Sequence, residues 1–211
     1  MTSQRTRDRL IRRLEQQGID NEQVLDVMRH IPRHLFVDEA LAQRAYEDIA
    51  LPIGYGQTIS QPYIVALMTQ LLIDSGSPSS VLEIGTGCGY QTAVLASLLP
   101  QVYSVERIGA LHQQAKGRLA KLDFYNVELK HTDGIGGWPN LSYRFDRILM
   151  TAACTEIPEA LVEQLADNGA MILPFDDGID QTLIRLTRSS EGLVREDLGK
   201  VVFVPLLPGL G

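Results

Sequence analysis

Cysteine is scarce in this 211-residue chain, which has only Cys88 and Cys154. So few cysteines exclude a disulfide-framed extracellular scaffold. Histidine is almost as sparse: His30, His34, His112 and His131 are scattered with no metal-ligand spacing, so no metal is expected. Basic charge is short too, with 19 Lys and Arg against 26 Asp and Glu and a net charge of −7. A nucleic-acid partner is therefore not expected, because such binding needs a basic field that displaces counterions. The one basic cluster, Arg5, Arg7, Arg9, Arg12 and Arg13, reads as the solvated face of a helix. No apolar run is long enough to span a bilayer. The N-terminus is polar and lacks the apolar stretch of a signal peptide. These absences lead one to expect a soluble protein of the reducing cytoplasm with no membrane partner, and a monomer is expected.

What is present is a large apolar content, 45% of residues, enough for one globular domain with a substantial core. Two segments differ in character. Residues 1–75 read as helices and loops. One short helix starts at Asp20-Asn21-Glu22-Gln23 with capping-box logic and ends near Ile31-Pro32. Residues 76–211 alternate strands with helices: strand 80–84, helix 90–99, strand 102–106, helix 108–122, strand 127–130, strand 147–150, helix 158–165, and strands 170–173, 183–186 and 201–204. Pro158 falls at a tolerated first-turn position of its helix. Short connections between alternating elements imply parallel strands joined by right-handed crossovers. The expected fold is a doubly wound, mostly parallel Rossmann-like sheet, closed by antiparallel C-terminal strands and preceded by a helical extension. Ligands in such sheets bind beyond the carboxyl ends of the strands.

The strongest motif sits at such an end. Glu83-Ile84-Gly85-Thr86-Gly87-Cys88-Gly89-Tyr90 follows the first strand and opens a helix. Three alternate glycines bare the backbone for a tight turn and a close-lying ligand. The spacing G-x-G-x-G differs from the dinucleotide fingerprint, and a carboxylate at Glu83 would oppose a pyrophosphate. It would instead attract the cationic end of S-adenosylmethionine, directly or through water. Glu106 closes the next strand, where a carboxylate can accept both ribose hydroxyls. Thr132-Asp133-Gly134 follows the third strand and offers an acceptor near an adenine amino group. Each carboxylate alone reads as a loop or capping residue. Together, at three successive strand ends, they point to an adenosyl cofactor.

The stretch before the sheet carries a family resemblance. Ala45-Tyr46-Glu47-Asp48-Ile49-Ala50-Leu51-Pro52-Ile53-Gly54-Tyr55-Gly56-Gln57-Thr58-Ile59-Ser60-Gln61-Pro62-Tyr63 and Ile31-Pro32-Arg33-His34-Leu35-Phe36-Val37 resemble segments of protein-L-isoaspartate O-methyltransferases. The turn from Glu83 to Gly89, Glu106 and Asp133-Gly134 look like that family's cofactor motifs, and Val202-Phe203-Val204-Pro205-Leu206 is similar to its last strand. Cys88 stands where a serine is common, and Leu207 to Gly211 depart from the pattern. The resemblance implies methyl transfer from S-adenosyl-L-methionine to the free α-carboxyl of L-isoaspartyl residues in damaged proteins and peptides. The ester then closes to a succinimide that reopens in part to aspartate. It further implies that Ser60 is the active-site serine, that Thr58 and Ile59 flank it over the cofactor, and that Gln181 lies near the cofactor.

An ionised carboxylate needs no general base to attack a sulfonium methyl, so the enzyme's main task is alignment, which can contribute up to about 7–11 kcal/mol. Ser60 is assigned as hydrogen-bond donor to that carboxylate; the competing reading makes it the N-cap of a helix over 62–72. Tyr63 reads either as a pocket wall or as core, and Trp138 has no assigned role. Another carboxylate acceptor is the alternative substrate. A nicotinamide oxidoreductase is disfavoured by the glycine spacing, and a protein that merely senses the adenosyl ligand is disfavoured by the intact Thr58-Ile59-Ser60 segment.

Overall fold

The computed structural model describes residues 4–74, 76, 78–140 and 144–211. Residue 75, at the expected boundary between the two segments, lies outside the described residues.

The amphipathic helix α1 (Gln4–Gln16) buries Leu10, Ile11 and Leu14 and leaves most of its arginines at the surface. Arg7 reaches the carbonyls of Arg29 and His30 at the end of α2 (Glu22–His30). Asn21 caps α2 by accepting from the N–H groups of Gln23 and Val24, as the sequence leads one to expect. A small antiparallel hairpin follows, β1 (Leu51–Gly54) and β2 (Gln57–Ile59), then α3 (Pro62–Ile73). The hairpin went unrecognised in the sequence. The N-cap of α3 is Gln61, without a side-chain bond, so the capping reading of Ser60 does not hold.

The sheet is built from β3 (Ser80–Ile84), β4 (Gln101–Glu106), β5 (Val127–His131), β6 (Phe145–Met150), β7 (Leu165–Asp176), β8 (Gln181–Ser189) and β9 (Gly192–Val201). Helix α4 (Tyr90–Leu98) joins β3 to β4, α5 (Gly109–Lys121) joins β4 to β5, and α6 (Glu159–Gln164) precedes β7. The strand order is β5-β4-β3-β6-β7-β8-β9. The first five strands run parallel, while β8 and β9 add antiparallel. The doubly wound, mostly parallel sheet with antiparallel C-terminal strands is the expected architecture.

Alternation along the strands sorts two cores. Val81, Val102, Leu149 and Ile172 face α3 and α4 with Met68, Leu72 and Leu95. Leu82, Ile84, Tyr103, Val105, Ile148 and Met150 face the opposite side with Leu161 of α6 and Trp138. Trp138, unassigned from sequence, is a core residue: its ring meets Tyr103 edge-on and Lys130 lies over it. The N-terminal helices share a third cluster with the sheet's helices, in which Leu10, Leu14, Val24, Met28 and Phe36 pack with Tyr90, Val94 and Leu119.

Three sequence boundaries need correction. Pro158 is the N-cap of α6 rather than part of its first turn. The strand expected over 170–173 extends to Leu165–Asp176. The last strand is β9, ending at Val201, and Val202–Val204 is not strand. The solvent-facing residues of β9 give no apolar signature, whereas the apolar run after it crosses back over the sheet, where Pro205 bridges Ala153.

Candidate active site

The chain turns from β5 back to β6, so β3 has β4 on one side and β6 on the other. This is the topological switch point, where connections diverge and leave a crevice at the strand carboxyl ends. The crevice encloses about 870 Å³ of empty space including its open mouth. Its floor comes from the residues after β3, β4, β5 and β6: Gly85 to Cys88, Glu106 to Ile108, Gly134, and Thr151 with Ala152. One wall is the hairpin and the loop after it, Ile53 and Gln57 to Ser60; the other is Val204 to Leu207.

The glycine turn depends on its glycines. Gly85, Gly87 and Gly89 have φ of 97°, 55° and 90°, the left-handed region where a Cβ is penalised. The N–H groups of Gly85 and Thr86 both donate to the Val105 carbonyl, pinning the turn to β4. Thr151 pins it from β6 through its hydroxyl, which donates to the carbonyls of Ile84 (3.0 Å) and Gly85 (2.8 Å). A side chain at Gly85 would strike the Thr151 hydroxyl. Glu106 organises the second strand end: it accepts from Gly87 N–H at 2.8 Å and Ile108 N–H at 2.9 Å. A carboxylate has about four lone-pair sites, so acceptor capacity remains. Gly134 admits Ile84, whose methyl would lie 2.5 Å from a Cβ there.

Thus Thr58, Ile59, Ser60, Gly85, Thr86, Gly87, Glu106 and Gly134 come together around one crevice. The Ser60 hydroxyl has no hydrogen bond to any described residue, while its carbonyl accepts from Arg33 at 2.8 Å.

Four sequence-assigned residues lie outside the lining, each for a physical reason. Strand parity turns Glu83 away, onto the helix-covered face with Val81. It is fully buried, its Oε2 accepts from Thr92 (2.5 Å) and Ser104 (2.6 Å), and its Oε1 has no partner. Burial pushes its carboxyl up to about 8, so at neutral pH it is largely a neutral acid and not an anchor for a cation. It instead braces the turn from beneath, since Ser104 also bonds the Thr86 hydroxyl at 2.6 Å. Gly89 is the left-handed N-cap of α4, where Ala115 and Leu119 of α5 pack against it. Asp133 accepts from the N–H groups of Ile135 (2.9 Å) and Gly209 (2.6 Å), fastening the C-terminal segment. Gln181 holds that same segment from its other end, accepting from Phe203 N–H and donating to the Phe203 carbonyl.

Several lining residues were missed from sequence. Thr151 and Ala152 follow β6, and the switch-point rule marks the end of that strand as a ligand position. Tyr90 and Cys88 belong to the motif but were assigned no role at the site. Arg107 secures Gly209 and Pro208 by donating to their carbonyls, so Leu207–Gly211, the stretch that departs from the family pattern, is tied to the rim of the crevice. Tyr63 is partly buried and packs against the core cluster of the N-terminal helices. Among the described residues, no group of three or more His, Cys, Asp or Glu side chains is placed to hold a metal ion. No helix among them is long and apolar enough to cross a membrane.

Comparison with known proteins supplies an independent line. The family model for Protein-L-isoaspartate(D-aspartate) O-methyltransferase (PCMT) matches residues 5–210. The protein-L-isoaspartate O-methyltransferase of Pseudomonas fluorescens is 56% identical over 209 residues, covering 99% of both chains. That of Halorhodospira halophila is 53% identical, over 99% of this chain and 94% of its own. A crystal structure from Plasmodium falciparum, described as a protein-L-isoaspartate O-methyltransferase in complex with S-adenosyl-L-homocysteine, superposes with a TM-score of 0.82 at 28% identity, covering 94% and 96% of the two chains. With a match running almost end to end and the resembling segments gathered at one crevice, the chain belongs to the protein-L-isoaspartate(D-aspartate) O-methyltransferase family.

Proposed function

We propose that the chain transfers a methyl group from S-adenosyl-L-methionine to the free α-carboxyl of L-isoaspartyl residues in damaged proteins and peptides. The observation that carries this reading is the crevice itself, where bare glycine backbone, the Glu106 carboxylate and a hydroxyl without a protein partner converge.

The residues present fit the donor. The bare backbone at Gly85 and Gly87 of the turn, and again at Gly134, lines the crevice. Glu106 retains acceptor sites for ribose hydroxyls, and the apolar Ile59, Ile84, Val105 and Ile108 suit a purine ring. When bound, the donor supplies an electrophilic methyl on a sulfonium. Thr58, Ile59 and the Val204–Leu207 segment wall the crevice and limit water. Ser60 donates to the acceptor carboxylate and holds it for in-line attack, the carboxylate's own charge making a general base unnecessary. With opposite charges neutralising, alignment is the larger contribution. The methyl ester so formed is a better electrophile than the carboxylate: the following amide nitrogen attacks its acyl carbon, the bond to methoxide breaks, and the amide proton leaves with it as methanol, giving a succinimide.

In this reading residues 1–75 are the substrate-covering part, packed on the cofactor-binding core of 76–211. The protein acts as a cytoplasmic monomer on polypeptides, and its charge of −7 disfavours nucleic acid as acceptor. A labelled-methyl transfer assay with two matched peptides tests the assignment. Label is expected in the isoaspartyl peptide and not in its aspartyl twin; equal labelling would remove the repair assignment.

A further inference from the structure

Arg33 sits beside the crevice without lining it, and its surroundings are unusual for a cation. The residue is 0% exposed. Nε donates to the Ala45 carbonyl and Nη2 to the Ser60 carbonyl, both at 2.8 Å. The guanidinium carbon lies 4.8 Å from the centre of the Tyr90 ring. The Tyr90 hydroxyl lies close enough to the guanidinium for the two to interact, although neither it nor Nη1 makes a well-aligned hydrogen bond. Among the described residues no carboxylate comes within ion-pair distance of it; Asp48, which steadies its charge from farther off, also accepts from the N–H of Tyr63 and the amide of Gln17.

Taking a cation out of water without a counter-ion is costly, and a guanidinium stays charged at neutral pH. A Met or Leu would fill the space at lower cost if packing were the whole purpose. What the guanidinium does that an apolar side chain cannot is grip two carbonyls in one planar fork and stack on a ring. Those two carbonyls belong to Ala45, in the N-terminal segment, and to Ser60. The ring belongs to Tyr90, the first residue of α4 after the glycine turn. Arg33 therefore joins the cover, the Ser60 loop and the turn at one point. Its charge also reaches Cys88 and Tyr90, both in the crevice lining.

We propose that Arg33 is a positioning residue for the acceptor: its fork fixes the backbone from which the Ser60 hydroxyl projects, and its charge, paired with no carboxylate at ion-pair distance among the described residues, makes the Ser60 side of the crevice attractive to a carboxylate. The inference rests on the reading that the acceptor is the isoaspartyl carboxylate. It separates two effects that a merely structural arginine would merge, because on the donor side Arg33 touches only Tyr90, beyond the glycine turn, and makes no bond to Glu106 or Gly134.

The test compares wild type with Arg33→Lys and Arg33→Met, measuring thermal melting, S-adenosylhomocysteine affinity by calorimetry, and KM and kcat with an isoaspartyl peptide. Arg33→Met is expected to raise the peptide KM about tenfold or more and to lower kcat, with S-adenosylhomocysteine affinity held within about twofold. Arg33→Lys keeps the charge and loses the fork, so most of the KM should return while kcat stays low. Unchanged peptide KM in both variants overturns the proposal. So does a loss of S-adenosylhomocysteine affinity that keeps pace with the loss in KM and in melting temperature. Should Arg33→Met fail to fold, Arg33→Lys decides alone: a lowered kcat with intact S-adenosylhomocysteine affinity supports the proposal, and parallel losses overturn it. A wild-type protein inert toward the isoaspartyl peptide but binding S-adenosylhomocysteine would sink the functional reading first, and this inference with it.

Discussion

Gly85→Ala puts the most pressure on the geometry of the turn. The residue has φ of 97°, and a left-handed conformation costs an L-residue about 1–2 kcal/mol. The new methyl would also meet the Thr151 hydroxyl, which is held in place by two carbonyls. Forcing an extra methyl into such a packed site costs about 1–3 kcal/mol. The sum is about 2–5 kcal/mol, and for a chain of this length each kcal/mol lowers Tm by about 2–4 °C. Calorimetric melting and S-adenosylhomocysteine titration read the two consequences, a lower Tm and weaker binding. Thr151→Ala separates the causes. It removes the atom that is struck, so Gly85→Ala should cost less in that background than in wild type, leaving only the backbone part. A Gly85→Ala variant that melts and binds like wild type would refute the account of the turn; an undiminished penalty in the Thr151→Ala background would refute the steric part.

Other expectations follow from the same contacts. Ser60→Ala should lower turnover about ten- to a hundredfold, as for one hydrogen bond to a charged group worth about 1.5–3 kcal/mol, while S-adenosylhomocysteine binding stays near wild type; unchanged kcat and KM would contradict the role. Glu106→Gln replaces one acceptor oxygen with an NH₂ facing a backbone donor, and by the same magnitude should weaken S-adenosylhomocysteine about ten- to a hundredfold by calorimetry. Glu83 gives a pH signature. Its folded value, about 8, lies above the ordinary value of 4.5, so the folded state holds the proton more tightly. Its contribution to stability is whole below about 4.5 and is lost as pH rises toward 8, by at most about 1.4 kcal/mol per pH unit. Relative to wild type, Glu83→Gln should therefore gain stability between pH 5 and 8 in denaturant titrations, and a pH-independent difference would contradict the buried neutral acid.

The sheet was legible because its inner parallel strands β3, β4 and β6, buried on both faces, are short mostly apolar runs. The cap at Asn21 was legible because capping is local chemistry. The hairpin was not, since strands of four and three residues carry no periodic signal. Nor was β9, where an edge strand facing water shows mostly polar residues. The apolar stretch 201–204 looked like the last strand because sequence cannot separate a residue buried in a sheet from one such as Val204 that lines a crevice. Glu83 shows the same limit at the site: the motif places it beside the turn, and only the pleat decides which way it points. Alternation with Val81 and Ile84 held that information once the strand was assigned. Gln181 and Asp133 were assigned to the ligand, yet both bind the C-terminal segment, a partner far away in sequence. Thr58 to Ser60, Gly85 to Gly87, Glu106 and Gly134 lie where the motifs pointed.

The crevice at the ends of β3, β4 and β6 is the centre of this account, and a crystal structure with S-adenosylhomocysteine tests it most directly. The ligand should lie against Gly85 and Gly87, its ribose hydroxyls on Glu106 and its sulfur toward Ser60. Density for the ligand anywhere else, or ribose hydroxyls bonded to a group other than Glu106, would contradict it.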